Sequence, residues 1–277
     1  MSVMPTDRGT GTAARARRAG AASLVANQTR YDLRAFRRNT RARIFTLAVP
    51  VLLLLILVAL FHSGTVKAGG ATVKIAAYYV PHIAAMAIVG AGLINLLITL
   101  VAKRESGSLK RRRATPVPSW VLIAGDAATS ILSSLVIVAV LVAIGSIGYG
   151  LAVSGAALGV AAVETVVGAA AFCCMAYALS GVVTNAESAG PVVQLTTLPV
   201  YFISGIYVPD DELPHWLLDV ANVLPVRPLA VALQAAFVPA TNGGQRFALV
   251  PVMIVAAWGV AGLLIAVRTF SWMPKRS

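Results

Sequence analysis

Charge is what this chain has least of. Only 12% of its 277 residues are Asp, Glu, Lys or Arg, while 58% are hydrophobic and the mean hydropathy is +0.82. Soluble domains carry about a quarter charged residues, so the composition excludes a freely soluble protein and points to a polytopic membrane protein. Lysine is scarcer still. There are five, and none follows a glycine, so the Gly-Lys-Ser/Thr of a phosphate-cradling loop is missing. Any ATP hydrolysis must come from a partner chain, and no cofactor is expected in this one. His62, His82 and His215 are isolated, without metal-ligand spacing to Cys or acid, so no metal site is expected. The only cysteines, Cys173 and Cys174, are adjacent in an apolar run. Neighbours on a helix point about 100° apart, so these two suit packing rather than a disulfide or a metal. No apolar run follows the first arginines closely enough to form the core of a signal peptide.

The charge that is present is basic and segregated. Net charge is +13, with ten of the 23 Lys and Arg before Ile44, six between Lys103 and Arg113, and three at Arg268, Lys275 and Arg276. In a soluble chain this would suggest nucleic acid. Beside long apolar runs it is a topology signal, with anionic lipid rather than nucleic acid as its contact.

The segment KRESGSLKRRRATPVP, residues 103–118, lies between two apolar runs and cannot sit in hydrocarbon. Its cationic excess places it inside the cell. Residues 1–22 read as a disordered basic tail and 23–43 as an amphipathic interfacial helix. In that helix Leu24, Tyr31 and Ala35 fall near one face, and Arg30, Arg34, Arg37, Arg38 and Arg41 form the other. Six spans follow by the rule of about 20 apolar residues each. They cover roughly 44–61, 75–102, 120–145, 155–183, 189–207 and 247–267 within a transmembrane domain of 44–268, ahead of a tail at 269–277. An even number puts both basic termini in the cytoplasm. Residues 62–74 read as a short polar loop and 146–154 as a tight Gly-rich turn. The longer 208–246 segment holds two pieces, 214–223 and 228–237, each too short to span and expected as re-entrant or interfacial helices on the outer face. The fold class is thus an all-α polytopic membrane protein.

Two acids fall within spans, where an ionisable group costs about 2.5–3.5 kcal/mol on insertion scales and needs a reason. Asp126 is close enough to the basic segment to pair with a snorkelling Lys or Arg. Glu164 sits deeper, on the helix carrying Gly155, Gly159 and Gly168, whose GxxxG permits close helix packing. It faces a translocation path, a dimer seam or a packing partner. Two acids and His82 make a thin relay for a proton-coupled transporter, and no cluster suits an intramembrane enzyme.

The central segment is similar to the RE-x-G-T-L-x-R-L-x-x-T-P signature of ABC-2 type transporter permeases. The matching residues are Arg104, Glu105, Ser106, Gly107, Ser108, Leu109 and Lys110, then Arg111, Arg113, Ala114, Thr115, Pro116 and Val117. Phe202, Ser204, Gly205 and Pro209 resemble that family's F-x-S-G-x-x-x-P. Leu213 to Leu217, including Trp216, resemble L-P-x-W-L, and Pro225 with Pro228-Leu229 the N-P-L region. Arg227 stands where Asn is common and Arg111–Arg113 are unusually basic; neither departure is expected to touch the fold. The resemblance covers about 200 residues. It implies a permease subunit of an exporter in the bacterial plasma membrane, paired with a second permease and with two copies of a cytoplasmic ATPase that binds ATP and Mg. It further implies that Glu105 to Leu109 begin a short coupling helix seated in the ATPase, with Arg104, Ser106, Gly107 and Lys110 around it. The stretch from Pro209 through Trp216 and Pro228 would close the exit, and Ser204 and Gly205 would line or pack the pathway. An amphipathic drug, antibiotic or lipid is the implied substrate. A proton-coupled secondary transporter and a non-transporting scaffold or sensor are the rival readings.

Overall fold

The computed structural model describes residues 21–38, 40–61, 64–107, 119–183 and 185–269. The expected basic tail, Leu109 and Lys110 of the central segment, and the last eight residues lie outside these.

Nine helices make up nearly all of the described chain: α1 (Ala21–Arg38), α2 (Thr40–Leu60), α3 (Ile75–Glu105), α4 (Ser119–Tyr149), α5 (Gly155–Ser180), α6 (Ala186–Ile203), α7 (His215–Val223), α8 (Val226–Phe237) and α9 (Leu249–Thr269). The chain is an all-α multi-pass membrane protein. Apolar runs set the long helices, because in lipid every backbone group must be bonded within the segment. Helices α3, α4, α5 and α9 are long and apolar enough to cross a membrane, and the bent pair α7–α8 adds a fifth if taken as one. The six expected spans correspond to α2, α3, α4, α5, α6 and α9. Two of them are less suited to crossing a membrane alone: α2 has a shorter apolar stretch, Thr46–Leu60, and α6 is interrupted by Gln194, Thr196 and Thr197.

Helix α3 is the hub, with α2, α4, α5, α6 and α8 all packed on it. Its most apolar stretch is 72% buried, against 28% for that of the peripheral α9. Midway, Gly90–Ile94 form a single π-turn that widens the helix. Helix α9 is held against α5 through its glycines. A Cβ at Gly259 would stand 2.9 Å from the Ala171 Cα, and one at Gly262 would stand 2.9 Å from the Met175 amide. The backbones therefore meet directly, as small residues allow in lipid. The expected GxxxG contact is corrected. Among the described residues a Cβ added at Gly155 or Gly159 would meet no neighbouring element within 4 Å, whereas one at Gly168 would stand 2.9 Å from Leu229 of α8.

Other boundaries move for identifiable reasons. Residues 62–74, expected as a loop, contain an antiparallel hairpin of β1 (Thr65–Ala68) and β2 (Ala71–Lys74), with Val66 opposite Val73 and both buried. Gly69 and Gly70 turn it with positive φ of 55° and 80°, as a two-residue hairpin requires. Apolar Ile144 and Ile147 carry α4 on to Tyr149, so the turn is 150–154. Of the residues expected as an interfacial helix, those up to Arg38 lie in α1 and those from Thr40 on in α2. Tyr31 does not lie on α1's packed face: it is 68% exposed, while Gln28 and Asp32 press on Gly125 of α4.

Candidate functional sites

At the end of the bundle that carries the basic segment, α3 stops at Glu105, and Ser106–Gly107 form a turn with Gly107 at φ +67°. Glu105 thus closes a helix rather than opening one, which corrects the expected coupling-helix start. Arg104 is 3% exposed. Its guanidinium donates to the carbonyl of Ser180 at 2.7 Å and to that of Val183. The Glu105 carboxylate accepts from the Ala186 amide at 3.0 Å. Ser106 Oγ bonds back to the Lys103 carbonyl at 3.2 Å. One residue before Arg104, Lys103 lies 3.3 Å from Asp126 Oδ1 and 3.8 Å from Asp32 of α1. Asp126 Oδ2 accepts from the Tyr177 hydroxyl at 2.6 Å. The intramembrane acid is therefore ion-paired and hydrogen-bonded across α1, α3, α4 and α5.

The opposite end holds a second polar cluster. Gly205 sits at φ +78° just after α6, and the Tyr78 hydroxyl of α3 shares its proton between the Gly205 carbonyl at 2.9 Å and Asp210 Oδ1 at 3.0 Å. Arg227 of α8 grips Asp210 with both arms of its fork, at 2.7 and 2.9 Å, and its Nε donates to Asn222 of α7 at 2.9 Å. Bidentate pairs of this kind are the strong ones. Burial alone would raise the Asp210 carboxyl. The hydrogen bonds and charge of Arg227, with His82 and the Tyr78 hydroxyl, outweigh burial and hold the carboxyl below its ordinary range. His82 stacks on Tyr78 at 4.1 Å between centroids and donates Nδ1–H to the Tyr78 carbonyl at 2.7 Å. Arg227, expected to leave the fold untouched, bonds α8 directly to Asn222 of α7 and, through Asp210, to Tyr78 of α3.

The remaining expected residues scatter. Ser204, Pro209 and Pro228 are buried beside this cluster, whereas Trp216 is 67% exposed on α7. Glu164 is fully buried on α5. Its carboxyl faces the Ala248 amide at the start of α9, with neither oxygen in a hydrogen bond of normal geometry.

A cavity of about 260 Å³ opens between α2, α3 and α6. Its walls are mainly apolar, including Val49, Pro50, Met86 and Ile94, with Asn95, Gln194, Tyr201 and Tyr207 as polar points. Asn95 donates to Thr46 Oγ1 at 2.8 Å, which fastens α3 to α2 at its rim. The π-turn supplies Gly90 and Ile94 to the wall. Sequence reasoning named none of these residues. The available signals were Asn95 inside an apolar run and the paired Gly90 and Gly92.

The described helices thus form a polytopic membrane bundle with a lateral cavity and a polar cluster at each end. The chain belongs to the ABC-2 type transporter family, whose model matches residues 23–238. No curated protein matches it.

Proposed function

We propose that the chain is the membrane subunit of an ATP-driven exporter. The cavity between α2, α3 and α6 carries this reading. It is mainly apolar with a few directed polar groups, the composition that selects amphipathic small molecules or lipids. Both termini and the 103–118 segment lie in the cytoplasm on this reading, and the 208–246 segment lies outside. A separate ATPase, in two copies, docks at the 103–118 segment and supplies ATP and Mg, and a second permease completes the pathway. ATP binding draws the two ATPases together, and the docked segments shift the spans toward an outward-open state. The bacterial plasma membrane is the proposed site.

The test is a pull-down of tagged permease from its native membrane in mild detergent, followed by reconstitution. A co-purifying P-loop ATPase, stimulated by an amphipathic substrate, supports the exporter. Loss of stimulation in Gly107→Trp, which forces a bulky side chain into a left-handed turn, places the coupling at this segment. Transport driven by a proton gradient without ATP would instead indicate a secondary transporter. A permease that neither binds an ATPase nor moves substrate would indicate a scaffold.

A further inference from the structure

The two charged residues that close α3 have opposite signs and engage opposite kinds of helix terminus. Arg104 donates to the Ser180 and Val183 carbonyls, at the C-terminal end of α5 and the turn after it. The last carbonyls of a helix lack intrahelical donors and carry the negative end of its dipole, so a cation suits them. Glu105 accepts from Ala186, the first residue of α6, where Asn185 Oδ1 also caps Ser188 at 2.8 Å. The first amides of a helix carry the positive end, so an anion suits them.

We infer that Arg104 and Glu105 form a two-point joint binding the end of α3 to the α5–α6 turn, and that through this joint a displacement at Ser106 and Gly107 reaches α6. They are positioning residues on this account, not contacts with the ATPase; the inference rests on the exporter reading above. Helix α6 is the natural recipient. Its wall residue Gln194 lies eight residues beyond Ala186, about 12 Å along a helix rising 1.5 Å per residue. Apart from the joint, α6 packs chiefly on α3 and, at its far end, on α7. A push at the basic end is therefore delivered toward the cavity wall along α6, whose ladder lacks one hydrogen bond at Pro191, between the joint and Gln194. The joint needs Glu105 as a hydrogen-bond acceptor, not as an anion presented to a partner. Glutamine preserves the first property and removes the second.

Three permeases, wild type, Glu105→Ala and Glu105→Gln, are reconstituted with the ATPase that co-purifies with the wild type. Three readouts are taken from each: the ATPase retained, the transport per ATP hydrolysed, and amide exchange over residues 185–189. The joint predicts that Glu105→Ala retains the ATPase and exchanges faster at 185–189. Its transport per ATP should fall roughly tenfold, as loss of a hydrogen bond to a charged group implies. Glu105→Gln, which keeps the acceptor but not the charge, should recover most of the exchange protection and part of the coupling. The joint is overturned if Glu105→Gln is as damaging as Glu105→Ala and both shed the ATPase, because Glu105 would then be a partner contact. Full coupling in Glu105→Ala overturns it as well. Failure of the wild type to retain any ATPase sinks the exporter reading instead, and with it the joint's role in coupling. The exchange readout still reports whether Glu105 holds Ala186.

Discussion

A methyl group added at Gly205 would stand 2.6 Å from Asp210 Oδ1 and 2.7 Å from the Tyr78 hydroxyl, at a φ that L side chains rarely adopt. Gly205→Ala should therefore cost about 1–3 kcal/mol, read as a lower unfolding midpoint in detergent. Asp210 makes the same cluster sensitive to acid. Its folded value lies below the ordinary 3.8, so the cluster's contribution is complete above that value and is lost as pH falls through the depressed one. Stability of the wild type should drop on going from neutral pH to about pH 3, with Asp210→Asn losing less over the same range. A wild type no more acid-sensitive than Asp210→Asn would show that the carboxylate is not holding the cluster. At this scale the sequence was only partly legible. Asp126 announced its ion pair, because a lone acid two turns into an apolar helix has to find a cation. Arg227 did not, because its partner Asp210 is brought beside it only by the bend between α7 and α8.

Among elements, the bidentate Arg227–Asp210 pair is the fastening most easily tested. Arg227→Ala leaves a largely buried carboxylate without its cation and should cost about 3–5 kcal/mol. Adding Asp210→Ala should cost much less than the sum of the two single changes; strict additivity would show that the pair is not coupled. Helix contacts give a sharper contrast. Gly259→Leu and Gly262→Leu would push Cβ atoms into the α5 backbone and should lower stability and yield, whereas Gly155→Leu and Gly159→Leu meet open space and should be tolerated. Sequence spacing favoured the second pair. GxxxG marks helices able to approach closely but says nothing about which face is turned inward, and here the α5–α9 approach is made by glycines three apart on α9. The hairpin, by contrast, was written in the chain. Val66 and Ala68 lead into Gly69-Gly70, with Ala71 and Val73 following, which is alternation around a two-residue turn. Four-residue strands are simply too short to stand out against apolar runs of 20 or more.

For the whole molecule, composition decided the class, because 58% hydrophobic residues cannot be packed inside a soluble body of this size. The cavity could not be read in advance, since it depends on where α2, α3 and α6 part around a π-turn. Orientation is open to a direct check. Single cysteines at Lys67 and Gln245 should react with an impermeant maleimide from the outside of intact cells, and one at Ser106 only after permeabilisation. The reverse pattern would invert the proposed topology and remove the 103–118 segment from reach of any cytoplasmic ATPase.

The interlock between α5 and α9 has a pharmacological consequence. A small molecule can enter only where side chains, not backbones, form the boundary, and α9 offers no such seam against α5. The cavity where α2, α3 and α6 part does offer one, already open to about 260 Å³, with α3 tied to α2 at its rim by the Asn95–Thr46 hydrogen bond. A blocker seated in this cavity should therefore be an amphiphile that competes for that bond. Resistance to it should arise first at Asn95 and Thr46.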